Sequence, residues 1–162
     1  MSAGRRRQCA RRSVLRAVTG AAGAAALGAL PARSAAAEQR EPIVQPPVPS
    51  RAAFVARATA LRDRARRGGD QPYGAVVVRD GRIVGEAPSR VVTAGDPTAH
   101  AEMEAIRDAA RRLGARDLSG CKIYASTRPC PMCEAAAYWA GIARIFHGPD
   151  AADAGAPRLG RC

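Results

Sequence analysis

Two short stretches constrain this chain more than anything else in it: Thr98-Ala99-His100-Ala101-Glu102-Met103-Glu104 and, thirty residues after His100, Pro129-Cys130-Pro131-Met132-Cys133. Each stands where a helix should begin. Asp96, Pro97 or Thr98 offers the start of a helix over 98–113, with Gly114 just past its end. Pro131 suits the first turn of a second helix, where its missing N–H leaves no bond unmade. Cys130 and Cys133 are spaced i, i+3, so both sulfurs can face one point. Amides at a helix N-terminus favour negative charge and help hold thiolates. If the two N-termini converge, one imidazole and two thiolates surround a single position. That is three protein ligands for tetrahedral Zn²⁺, one ion per chain, with a fourth position for water, as catalytic zinc sites keep.

Glu102 then has a purpose. Two thiolates neutralise most of the charge on zinc, so the metal acidifies its water less than a three-histidine site would. A nearby carboxylate that accepts and returns the proton becomes important. Glu104 reads as a solvated or pairing carboxylate. Other readings stay open at this point. His100, one of two histidines in the chain, can be a buried core residue. Cys130 and Cys133 can be a redox pair, which leaves His100 and Glu102 unexplained. His147 can close a structural zinc site as fourth ligand. Cys121 opens a strand and reads as a small buried hydrophobe. Cys9 is expected to leave with a cleaved N-terminal segment, and Cys162 carries no assignment.

The 162 residues hold one domain, rich in Ala and poor in aromatics, which points to a small, tightly packed unit. Phe54, Ala58, Leu61 and Ala65 recur at helical spacing in "RAAFVARATALRDRARRGGD" and stop at Gly68-Gly69. In "YGAVVVRDGRIVGEA" two apolar runs meet at Asp80-Gly81, the residue pair of a type I′ hairpin turn. "CKIYAS" and "ARIFHG" read as short strands around the second motif helix, "PMCEAAAYWAG". The order α-β-β-α-β-α-β predicts an α/β fold, a mixed sheet with helices packed on it.

The formal charge of +12 suggests nucleic acid less than it seems to. Residues 1–37 carry seven Arg and no acid, so +12 minus 7 leaves +5 on residues 38–162. That modest excess, with a single Lys, permits a nucleic-acid partner and does not require one. The N-terminal segment has the layout of an export signal. A basic start precedes an uncharged Ala/Gly-rich run from Ala17 to Leu30, and Ala35-Ala36-Ala37 matches a signal-peptidase site. Arg11-Arg12-Ser13-Val14-Leu15-Arg16 resembles a twin-arginine signal. The run is short of the roughly 20 apolar residues that span a bilayer, so no stable membrane anchor is expected after cleavage. The expected organisation is a signal at 1–37, a Pro-rich linker at 38–50 and a folded domain at 51–162. The expected location is periplasmic or secreted, or cytoplasmic if 1–37 is not a signal. Twin-arginine export moves folded proteins, so zinc loaded beforehand would shield both thiolates from disulfide formation.

Together, His100-x-Glu102 and Pro129-Cys130-x-x-Cys133 match the H-x-E … P-C-x-x-C signature of the zinc-dependent nucleobase and nucleoside deaminases. The resemblance runs from about Pro72 to Gly148. "PYGAVVV", "DPTAHAE" and "PCPMC" with "YWA" look most like bacterial guanine deaminases; tRNA adenosine deaminases share "DPTAHAE". It implies a cytidine deaminase-like three-layer α-β-α fold with a mixed central sheet. It implies His100, Cys130 and Cys133 as zinc ligands and Glu102 as proton shuttle. The implied reaction is hydrolytic deamination of a small-molecule nucleobase or nucleoside, with guanine leading and xanthine and ammonia as products. Ser89, Gly74, Ala75, Ala101 and Trp139 are candidate substrate contacts, Trp139 alternatively a core residue. Family members form dimers, so a homodimer is expected. The alternatives are adenosine deamination on tRNA and, from another class, an inactive zinc-stabilised domain. Three departures favour the last. Ser89 stands where relatives carry a base-binding Asn, eleven residues before the zinc His. Arg128 replaces a common Glu before Pro-Cys. The chain ends "DAADAGAPRLGRC" where guanine deaminases continue with an acidic stretch, so a second proton-handling carboxylate and the cover of one sheet edge are expected to be missing.

Overall fold

A computed structural model describes residues 41–159, so the signal segment read at 1–37, with Cys9, and the terminal Cys162 lie outside the described residues. The elements are α1 (Arg51–Arg67), β1 (Gly74–Arg79), β2 (Arg82–Pro88), α2 (Ala101–Leu113), β3 (Lys122–Ala125), α3 (Pro131–Trp139), β4 (Arg144–His147) and β5 (Ala152–Gly155). The strands form one sheet in the order β2-β1-β3-β4-β5. β3 and β4 run parallel and every other pair antiparallel, so the sheet is mixed as expected.

Local chemistry explains the boundaries. Ser50 caps α1, its hydroxyl accepting from the Ala53 N–H at 3.1 Å. Arg64, Arg66 and Arg67 fill the last turn, where the helix dipole favours cations. Asp80 (φ 49°) and Gly81 (φ 74°) both adopt positive φ, the pair of values a type I′ turn needs. β1 is buried along almost its whole length because it is covered on both faces. Ala75 and Val77 join the cluster formed with Ala101, Ala105 and Ala109 of α2 and Ala137 of α3. Val76 and Val78 turn the other way, toward Phe54, Val55 and Leu61 of α1, with Tyr124 and Phe146 beside them. The result is three layers, α1 on one face and α2 with α3 on the other. The Ala/Gly content allows close approach. A Cβ on Gly85 would lie 2.4 Å from the Ala109 nitrogen, and one on Gly74 would lie 2.2 Å from the Ala58 oxygen.

Three details differ from the sequence reading. α2 starts at Ala101, not at 98. Asp96 Oδ1 accepts from the Thr98 N–H at 2.7 Å and from its hydroxyl at 2.8 Å, a local turn that competes with helix. His100 therefore becomes the N-cap, and its side chain makes no capping bond. Secondly, the edge beyond β4 is not bare. β5 pairs with it, although its residues are mostly exposed. Thirdly, the end of the Pro-rich linker is docked. Gln45 exchanges two bonds with the Ile83 backbone, at 2.8 and 2.9 Å, and so occupies part of the free edge of β2.

Candidate metal centre

The topology brings one set of ends together. Ala75 of β1 lies opposite Ala125 of β3, and Ala125 opposite His147 of β4. The N-termini of α2 and α3 converge on this margin of the sheet. His100 is the N-cap of α2 and Cys130 the N-cap of α3, with Cys133 in the first turn behind it.

The three ligand atoms form a nearly equilateral triangle. His100 Nδ1 lies 3.6 Å from the sulfur of Cys130 and 3.6 Å from that of Cys133. The two sulfurs are 3.6 Å apart. Tetrahedral zinc with bonds of about 2.3 Å to sulfur and about 2.0 Å to nitrogen needs edges of about 3.8 and 3.5 Å. The residues therefore fit the ion without rearrangement, and no other residue joins the group among those described. His147, the potential fourth ligand of a closed site, is not in it. Cys130 and Cys133 are free cysteines, and Cys121 is buried in the core cluster, as a small hydrophobe should be.

Glu102 completes the arrangement. It is only 5% exposed, and Oε2 accepts from the Cys133 thiol at 3.5 Å. Burial raises its carboxyl from the ordinary glutamate value. Burial, with the Glu102 charge beside it, also pushes the Cys133 thiol up. A coordinated cation reverses that second effect, because a coordinating thiol is deprotonated. Glu104 takes the pairing role, bonded to Arg107 one turn on.

A pocket of about 540 Å³ opens on this group, lined by Gln71, Tyr73, His100, Glu102, Thr127, Arg128 and Cys130. Its size suits a small planar ligand. Gln71 and Thr127 lie outside the quoted motifs, and Tyr73 falls within "PYGAVVV" without being singled out. The signal that would have found them is position: they lie next to the strand ends on the motif side of the sheet. The Gly74 N–H donates to Ser126 Oγ at 3.1 Å and the Ser126 N–H to the Gly74 oxygen at 2.9 Å, tying those ends together.

The other candidate contacts are not among the residues lining this pocket. Ala75 and Ala101 are core residues between sheet and α2, and Gly74 presses against α1. Trp139 is 76% exposed, edge-on to Tyr138 and beside Arg116, Asp117 and Gly141. It is neither in the core nor at the pocket, because α3 is short and ends there, at the surface. Ser89 is buried and lines a separate cavity of about 400 Å³ with Asp70, Arg90 and Thr93.

Asp70 is why Ser89 sits there. Its carboxylate accepts from the Ser89 hydroxyl, the Thr93 N–H, the Thr93 hydroxyl and the Gln71 N–H, each at 2.8 Å, and from the Val92 N–H at 3.1 Å. Burial alone would raise its carboxyl, but these bonds hold it well below the usual carboxylate range. Asp70 thus fastens the loop leading to His100 onto the segment leading to Gln71. A depressed folded value stabilises the protein above the unfolded carboxyl value of about 3.9, and that contribution fades as pH falls below it. Asp70→Asn is expected to cost on the order of 2 kcal/mol at pH 7 through lost charged hydrogen bonds. Melting curves from pH 7 to 3 should show the gap to wild type narrowing below about pH 4. A gap constant across that range would show that the charge of Asp70 contributes nothing.

Comparison with known proteins agrees with this geometry. A family model, the cytidine and deoxycytidylate deaminase zinc-binding region, matches residues 49–148. The guanine deaminase of Bacillus subtilis (strain 168) is 46% identical over 106 residues, covering 63% of this chain and 68% of that protein. The tRNA-specific adenosine deaminase of Aquifex aeolicus (strain VF5) is 43% identical over 89 residues, 54% of this chain and 59% of that protein. The X-ray structure of the Bacillus subtilis guanine deaminase superposes with a TM-score of 0.57, at 46% identity, over 59% of this chain and 61% of that one.

Proposed function

This chain belongs to the cytidine and deoxycytidylate deaminase family, and from that premise we propose that it hydrolyses guanine to xanthine and ammonia. The observation that carries the deamination is the 3.6 Å triangle of His100, Cys130 and Cys133 with a buried carboxylate at its side, and the similarity to the Bacillus subtilis guanine deaminase favours guanine. Zinc held there supplies a Lewis acid that polarises a water molecule. The chain's own groups do the rest. Glu102 takes a proton from the attacking water, delivers it to a ring nitrogen, and later passes a proton to the departing amine. The C2–N bond breaks, a C2–O bond forms, and one water is consumed per ammonia released. The pocket walls orient the ring, and the packed core behind Glu102 keeps bulk water from that side.

The substrate is tested by comparing kcat/KM for guanine, adenine, cytosine, their nucleosides and tRNA, with guanine expected highest. Inosine formed in tRNA, with no free base turned over, would instead support adenosine deamination, the reading that the Aquifex aeolicus relative favours. Zinc binding with no turnover on any of them would support an inactive zinc-stabilised domain. The proposal includes a homodimer, which the solution mass checks directly.

Residues 1–37 are proposed to export the domain by the twin-arginine route, on the strength of Arg11-Arg12 and the uncharged run after them. No helix among the described residues is long and apolar enough to cross a membrane. Fused to a reporter, residues 1–37 should direct export that is abolished by Arg11→Lys with Arg12→Lys. Export that survives the double change excludes the route.

A further inference from the structure

We propose that Arg128 is a specificity-determining residue, its guanidinium reading the paired acceptors O6 and N7 of the base; this rests on guanine being the substrate. Three observations lead to it. The hydroxyl of Ser89 is committed to Asp70 at 2.8 Å, and Ser89 is not among the residues lining the metal pocket. Recognition of the base therefore falls to other residues. Arg128 lines that pocket, as do His100 and Glu102, and is an exposed residue. Among the described residues no carboxylate pairs with it, whereas Arg57, Arg107, Arg112 and Arg144 are each held by an acid.

The chemistry then selects an edge. Guanine turned with C2 toward the metal ligands leaves O6 and N7 free of them, for another residue of the pocket lining. Those are two acceptors at the spacing of a guanidinium fork. Adenine carries its amine on C6, so with that carbon at the metal it offers the fork no such pair of acceptors. Arg128 thereby favours guanine and disfavours adenine, a discrimination that the zinc ligands and Glu102 cannot make.

The test uses the zinc-loaded full chain with guanine and 7-deazaguanine, which keeps the C2 amine and O6 but lacks the N7 acceptor. Binding constants, kcat and KM are measured for wild type, Arg128→Ala and Arg128→Lys. Arg128 is exposed, so its truncation leaves the core intact. Wild type should prefer guanine by about 10-fold or more. The preference should vanish in Arg128→Ala, mainly through KM, because the contact exists before and during reaction. Lys keeps the charge without the fork and should restore little of it. Turnover of guanine with an unchanged preference in Arg128→Ala overturns this proposal alone. Failure of wild type to bind guanine overturns it together with the substrate reading. Preference for guanosine monophosphate that Arg128→Ala removes and Arg128→Lys restores would place a phosphate at the guanidinium and overturn the base-edge assignment.

Discussion

Glu102→Gln is expected to lower kcat for guanine by about 10²–10⁴-fold while the protein keeps one zinc per chain. The amide has nearly the size of the carboxylate, so the buried site at 5% exposure can accept it without a cavity. It cannot take a proton from water. It also leaves the ligand triangle untouched, since Glu102 lies beside that triangle, 3.5 Å from the Cys133 sulfur. Metal content and catalysis should therefore separate cleanly. Loss of zinc along with activity would make Glu102 a structural partner of Cys133; unchanged kcat would remove it from the chemistry.

Cys133→Ala is expected to abolish both zinc binding and turnover and to lower the melting temperature. Cys133 is 1% exposed and shares the triangle with His100 and Cys130. With two ligands left, the site no longer holds its ion. Because the ion binds the folded state, its loss also removes several kcal/mol of linked stability. Cys121→Ala is the control. Cys121 is equally buried, but it lies in the apolar cluster away from the ligands. Its loss should cost only about 1 kcal/mol through a small cavity, with zinc and turnover retained. Zinc retained by Cys133→Ala would mean that the triangle is not the site.

Much of this architecture could be read from the chain because its signals are local. Asp80-Gly81 dictates a type I′ turn, and both residues adopt positive φ. Pro131 and the flanking cysteines mark the start of α3, and Gly114 ends α2 in the left-handed conformation. The three ligands were legible because soft donors are scarce here, and their placement at helix starts leaves few ways to bring them together. β5 was not legible. Ala-Asp-Ala-Gly has no apolar alternation, and the strand exists because the backbone of β4 offers it partners. α2 begins three residues later than its sequence suggests because Asp96 and Thr98 look like caps and instead bond to each other.

The substrate contacts were the least legible part. Ser89 stands out only by analogy of position, and Asp70, nineteen residues earlier, takes its hydroxyl. That competition is invisible without the fold. Trp139 reads as either a base contact or a core residue, and it lies exposed at the surface where α3 ends. Gln71, Tyr73 and Thr127 reach the pocket through loops, where no periodicity marks them. Arg128 was visible as a departure, and the pocket gives that departure a location.

The measurement that tests the central claim most directly follows xanthine and ammonia released from guanine by the purified protein, before and after zinc is removed by chelation and restored. The account predicts about one zinc per chain, equal amounts of xanthine and ammonia, loss of turnover on chelation and recovery with added zinc. Ammonia release that persists at full rate in the metal-free protein would contradict it, as would a zinc-loaded protein that leaves guanine intact.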